Sequence, residues 1–144
     1  MIKNERQYRI TKAHAEKFAQ ALQELTTTPK RGVQPVLHKA QIDALKSQLE
    51  DLQRELAEYE TLRSGKRKGV ALGSLEELPK TLIQARIVAG LSQEDLAAKL
   101  GLKPQQIQRY EATEYQSASL ERVHEVARVL GVKLRHPAEL RLVS

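Results

Sequence analysis

Apolar residues in the first half of the chain recur at steps of three and four, the spacing of a one-sided helix. A first helix is predicted over residues 11–25, because Phe18, Leu22 and Leu25 fall on one face. Three threonines and Pro29 follow. They end the predicted helix, since β-branched residues and proline disfavour its continuation.

The second predicted helix is long and carries an apolar seam. It begins at Pro35, which suits a first helical turn, and continues to about residue 63. Its apolar residues occupy the a and d positions of a coiled coil. The seam consists of Ile42, Leu45, Leu49, Leu52, Leu56 and Tyr59. Because the first predicted helix is too short to cover it, we expect a homodimeric coiled coil or four-helix bundle. An antiparallel hairpin within one chain is the alternative.

A basic stretch divides the chain. Lys66, Arg67 and Lys68 lie between two glycines, in a composition typical of a flexible joint. We therefore expect an N-terminal helical module for dimerisation or interaction, a basic linker and a C-terminal helical domain. The predicted limits are 1–63, 64–73 and 74–144.

The C-terminal domain has closely spaced helix signals. Ser74 and Glu77 have the spacing of a capping box. Ser92 is a typical N-cap and Gly101 a typical C-terminal stop. Residues 132–143 alternate apolar and basic positions, which allows a short terminal strand. The helices are predicted over residues 79–89, 93–100, 104–112 and 120–130.

Composition favours an all-α fold and an anionic partner. Aromatic residues make up 3% and Trp is absent, so the core must come from Leu, Ala, Val and Ile, as in packed helices. The net charge of +6 favours nucleic acid as a partner. Without Cys there is no disulfide or thiolate site. The charged start and the lack of a long apolar run predict a cytoplasmic protein that does not enter the membrane.

Two of the predicted helices are joined only by Gly101, Leu102 and Lys103. This is the spacing of a helix-turn-helix motif. Ala97 is small where the two helices would cross, and Leu102 and Ile107 can be buried beneath the turn. The physical requirements of the motif are therefore met.

The same region resembles the Cro/cI-type (Xre) helix-turn-helix family, across residues 79–132. The resemblance is carried by residues 85–97, 107–111 and 119–132. It implies a lambda-repressor-like domain whose third helix lies in the DNA major groove. Residues 1–73 lie outside it.

The resemblance also implies which residues contact DNA. Side chains at the start of the third helix would read base edges, and the glutamine that begins the second helix would meet a phosphate. Glutamine can pair with adenine, and arginine or lysine with guanine. Pro104 departs from the family pattern and removes one reading side chain. The implied DNA-binding residues are Gln93, Lys103, Gln105, Gln106, Gln108 and Arg109.

Arg86 and Glu111 match a pair that the family buries between its first and third helices, which implies a structural role.

The sequence gives little support for an enzyme. His124 and Glu125 begin a zinc-protease-like string, but Arg128 stands where the second ligand should be. We expect no catalytic residue, metal or cofactor.

These observations predict a dimeric regulator, a repressor, that binds double-stranded DNA sequence-specifically. The alternative is an antitoxin that binds a partner toxin protein and represses its own operon, since the family includes such proteins. A scaffold whose helix-turn-helix no longer binds DNA is a third interpretation. The Gln, Lys and Arg side chains of the third helix argue against it.

Overall fold

Six α-helices and one 3₁₀ turn form the regular structure of residues 1–28 and 32–143, which this computed structural model describes. The predicted all-α fold is confirmed over these residues. Contacts divide the chain into two units, Met1–Arg67 and Lys68–Ser144. No helix in the described part is long and apolar enough to span a membrane.

Helix α1 (Glu5–Thr27) begins earlier than the apolar pattern predicted. Asn4 is its N-cap, and the side-chain oxygen accepts a hydrogen bond of 2.9 Å from the N–H of Gln7. The predicted start at residue 11 was wrong because it followed the apolar positions and passed over this cap. The predicted role of Pro29 in ending the helix falls outside the described residues.

Helix α2 (Pro35–Arg63) has the predicted limits and packs antiparallel on α1. The rings of Tyr8 and Tyr59 stack with centroids 5.3 Å apart. Beside them, Nη1 of Arg63 donates to Glu5 at 2.8 Å. The two helices thus form a hairpin within one chain. Because α1 is longer than predicted, it runs beside the seam as far as Tyr59.

The hairpin leaves the seam of α2 partly open. Tyr59 is 6% exposed, whereas the aliphatic members of the seam are only half-buried. In a hairpin, the apolar stripe of one helix is covered on one side only by its neighbour. A third or fourth helix is needed to enclose the stripe. The half-buried members are Ile42, Leu45, Leu49, Leu52 and Leu56.

Four helices pack around one core in the second unit. Their limits agree with the predicted ones to within one residue, because each end is set by a local capping residue, a proline or a glycine. The helices are α3 (Leu78–Val88), α4 (Gln93–Leu100), α5 (Pro104–Ala112) and α6 (Leu120–Val129). All four contribute fully buried side chains. These are Leu82, Ile83, Leu96, Ile107 and Val126.

Two predictions for the second unit were wrong. The Ser74 side chain makes no capping hydrogen bond, and the carboxylate of Glu77 accepts instead from the N–H of Gly73 at 2.7 Å. A 3₁₀ turn, Leu75–Glu77, therefore precedes α3. Residues 132–143 form no strand, because a strand needs a hydrogen-bonded neighbour and none of the described residues provides one.

Candidate nucleic-acid interface

The turn between α4 and α5 is short and stereochemically defined. Gly101 has a φ of 65°, in the left-handed region that glycine enters without a Cβ clash. The N–H of Leu102 then donates to the carbonyl of Ala97 at 2.9 Å. Ala97 is fully buried, and its small side chain allows α4 to approach its neighbours closely. This connection is that of a helix-turn-helix.

Helix α5 has one buried and one exposed face. Ile107 and Glu111, one turn apart, are both fully buried and hold the helix against the core. Gln105, Gln108 and Arg109 are exposed at steps of three and four, so they share a face. Amide and guanidinium groups therefore give the outer surface of α5 a dense set of hydrogen-bond donors and acceptors.

One of the predicted reading side chains caps the start of α5. Oε1 of Gln106 accepts a hydrogen bond of 3.1 Å from the backbone N–H of Lys103. Pro104 follows at the first helical position, where its missing N–H costs nothing. The side chains of Lys103 and Gln106 are exposed. Gln106 thus already uses its carbonyl oxygen, one of the two groups that a bidentate contact with adenine needs.

A buried ion pair ties α3 to α5. Nε and Nη2 of Arg86 donate to the two carboxylate oxygens of Glu111, at 2.6 and 2.8 Å. Nη1 of Arg86 donates to the carbonyl of Leu91 at 2.8 Å. Nε2 of Gln93 donates to Oε2 of Glu111 at 2.6 Å. The implied structural pair and the first residue of α4 therefore belong to one hydrogen-bond network that joins α3, α4 and α5.

The start of α4 is closed by a capping box. The N–H of Asp95 donates to Oγ of Ser92 at 3.0 Å, and the N–H of Ser92 donates to Oδ2 of Asp95 at 2.9 Å. The Ser92 hydroxyl also donates to Oδ2 of Asp95 at 2.7 Å. This bond first, and then the one from the Ser92 N–H, lowers the pKa of Asp95 below its usual value. A helix N-terminus favours an anion. The carboxylates of Glu94 and Asp95 lie in the same turn and oppose that preference.

Tyr115 lies just after α5 and was not singled out from the sequence as a functional residue. It is 4% exposed, and its ring stacks on that of Tyr110 with centroids 5.9 Å apart. Glu114 and Tyr115 have φ of 49° and 59°, which is uncommon for residues other than glycine. Within the described chain, the Tyr115 hydroxyl has no hydrogen-bond partner. No sequence signal marks this turn, because it contains no glycine.

Together, the short turn, the buried pair and the exposed face of α5 define a helix-turn-helix domain. Residues 82–136 match the family described as Helix-turn-helix, the Cro/cI-type or Xre family. The C-terminal part of the chain is therefore the DNA-binding domain of a transcriptional regulator. Residues 1–81 lie outside the match. No curated protein and no solved structure matches the chain.

Proposed function

We propose that the protein is a homodimeric, sequence-specific repressor. Residues 74–144 bind double-stranded DNA, residues 1–63 join two protomers, and residues 64–73 link the two parts. The observation that carries the proposal is the outer face of α5, where polar side chains are exposed while the opposite face is anchored in the core.

The chemistry of this face suits base recognition. Gln105 and Gln108 present amides that match the edge of adenine, and Arg109 presents a guanidinium that matches guanine. Lys103 adds a positive charge at the start of the helix. Gln93 lies at the N-terminus of α4, where its amide and the helix dipole favour a phosphate. Base reading by α5 and phosphate contact by α4 together would fix the domain in the major groove.

Dimerisation is supported by the open seam of the hairpin. Five aliphatic side chains of α2 remain half-buried after α1 has packed on them. A second hairpin laid against the first would complete a four-helix bundle and enclose these side chains. A twofold dimer would present two reading helices to two half-sites, and so would prefer a palindromic operator.

A second candidate function, the antitoxin, is favoured by the C-terminal segment. Four of its large apolar side chains are 69–91% exposed, which is unusual for a segment with no role in recognition. Lys133, Arg135 and Arg141 alternate with them. An acidic partner protein with a free strand edge would match both the charge and the apolar positions. Both functions are compatible within one chain. The exposed side chains are Leu134, Leu140, Leu142 and Val143.

The test is selection from a library of random duplexes. We expect the full-length protein to enrich a palindromic sequence, with an affinity that falls steeply as salt rises, because phosphate contacts release counterions. Failure to enrich any sequence would contradict base recognition.

The antitoxin function has its own test, in which small reading frames beside the gene are expressed alone and with this protein. Growth arrest relieved by the full chain, but not by a chain ending at Gly131, is the expected result.

A further inference from the structure

The helices of the second unit carry little of the positive charge that DNA binding needs. Residues 74–131, which hold α3 to α6 and the turns between them, contain eight acidic and seven basic residues. One residue of each sign, Glu111 and Arg86, is buried, and the two charges cancel each other. Affinity for DNA comes largely from Lys and Arg side chains that neutralise phosphates. The helices alone therefore do not account for binding to a polyanion.

The missing charge lies in the two segments that flank these helices, residues 64–73 and 132–143. Together these flanking segments contain six basic residues and one acidic residue, Glu139. The whole chain has a net charge of +6, so most of it is concentrated in the flanking segments. Their basic residues are Lys66, Arg67, Lys68, Lys133, Arg135 and Arg141.

The structure brings the two flanking segments together at Gly69 and Arg135. A Cβ on Gly69 would lie 3.4 Å from Nη2 of Arg135, so the guanidinium lies against the backbone of the first segment. Lys68 is the neighbour of Gly69, and Lys133 is two residues before Arg135. Lys68, Lys133 and Arg135 are exposed, and none of them forms an ion pair within the described chain. Cations grouped without a carboxylate create a positive potential that attracts an anion.

We propose that the flanking segments bind the phosphate backbone of duplex DNA, as a second contact surface beside the helix-turn-helix. A duplex offers a continuous row of phosphates, which suits cations spread along two chain segments. Residues 64–73 and 137–143 lie outside the family match, so the match does not supply this contact. The inference rests on the DNA-binding part of the proposed function and adds to it the source of the electrostatic affinity.

The test replaces three charges in each flanking segment by glutamine in the full-length protein. Binding to the selected duplex and to a random duplex is measured over a series of salt concentrations. A matched control removes the same charge from exposed positions of α1. The first variant is Lys66→Gln, Arg67→Gln and Lys68→Gln, the second is Lys133→Gln, Arg135→Gln and Arg141→Gln, and the control is Arg9→Gln, Lys12→Gln and Lys17→Gln.

We expect each flank variant to lose at least about tenfold in affinity at low salt, on both duplexes alike, because phosphate contacts carry no sequence information. The slope of log affinity against log salt should become shallower by about one for each phosphate contact removed. The control should bind as wild type does. Flank variants with the slope and affinity of the control would overturn the proposal, and would leave the charge of residues 132–143 to the acidic partner of the antitoxin function.

A second measurement needs no substitution. Exposed lysines of the wild-type protein are acetylated with and without the random duplex, and the modified sites are identified by mass spectrometry. The duplex should protect Lys66, Lys68 and Lys133 and leave Lys12 and Lys17 reactive. Equal reactivity of the flanking lysines with and without the duplex overturns the proposal, even if a variant fails to fold.

Failure of this inference and failure of the proposed function give different results. If wild-type protein enriches no sequence but binds random duplexes through the flanking segments, the sequence-specific repressor is contradicted and the flanking contact is supported. If wild-type protein enriches a sequence and the flank variants bind it equally well, the repressor is supported and the flanking contact is contradicted. Absence of binding to any duplex would overturn both.

Discussion

Arg86 and Glu111 meet side by side in the interior of the second unit, with two parallel N–H···O bonds of 2.6 and 2.8 Å and almost no exposure to solvent. A buried pair of this kind contributes little net stability, because both charges have been taken out of water. Removing one partner destabilises the fold strongly, since the other charge is left in the interior without compensation.

The first prediction concerns this pair. Arg86→Met or Glu111→Met alone should lower the free energy of unfolding by roughly 3 to 5 kcal/mol. The double variant should recover much of that loss, because no buried charge is left unpaired. Denaturant unfolding of the three variants measures the coupling. Additive losses would contradict a direct interaction.

A second prediction concerns the seam of α2. Leu49→Lys with Leu52→Lys should place like charges in the proposed dimer interface and yield monomers in light scattering. Operator affinity should fall at least about tenfold, because a monomer loses the gain from linked half-sites ~34 Å apart. Gln48→Lys with Gln53→Lys, on the exposed side of α2, adds the same charge and should stay dimeric. If the seam variant also stays dimeric, the protomers do not meet there.

The exposed face of α5 gives a third prediction. Arg109→Ala should cost about 1 to 3 kcal/mol of binding free energy at the selected duplex and relax its sequence preference. On random duplexes the loss should be smaller. Arg128→Ala removes the same charge from an exposed position of α6, outside α5, and should leave sequence preference intact. An equal loss for Arg109→Ala on both kinds of duplex would indicate a backbone contact only.

The left-handed turn gives a fourth prediction. Glu114→Gly should stabilise the protein by about 1 kcal/mol, because glycine adopts a φ of 49° without the Cβ clash. Ala98→Gly, in the exposed middle of α4, should destabilise it by about the same amount. Chemical denaturation of both variants tests the pair. Destabilisation by Glu114→Gly would show that the turn is not strained.

A fifth prediction concerns acid. The pKa of Asp95 is lower in the folded protein than its ordinary value of 3.8, so its capping bonds stabilise the fold at pH values above that ordinary pKa. That contribution is lost as the pH falls through the folded value. Asp95→Asn should therefore melt lower than wild type at pH 7, and the difference should shrink on acidification. Glu94→Gln, one residue earlier, removes a charge without these bonds and should show a smaller effect.

Local signals explain how much of the fold could be predicted. The limits of α4 and α5 follow from Ser92, Gly101 and Pro104, each of which acts on backbone within its own turn. Asn4 is a local signal of the same kind for the start of α1, and the prediction missed it because it followed the apolar positions. The stack of Tyr8 on Tyr59, which also holds the first turn, joins residues far apart along the chain and could not be predicted in this way.

The candidate site likewise contains features that local sequence predicts and features that depend on contacts between distant residues. Exposure of the α5 face follows from helical periodicity around Ile107, and the Arg86–Glu111 pair was expected from the family resemblance. The bond from Gln93 to Glu111 and the inward ring of Tyr115 depend on how three helices and a loop meet. No short window of sequence carries that information.

The cap on α5 has a consequence for the operator. Oε1 of Gln106 accepts from the N–H of Lys103, so reading adenine with both amide groups would uncap α5, the proposed reading helix. The capped side chain offers only N–H donors to the groove, and guanine and thymine as well as adenine present an acceptor there. In an alignment of selected duplexes, the column opposite Gln106 should therefore be degenerate, flanked by sharper columns opposite Gln105 and Arg109.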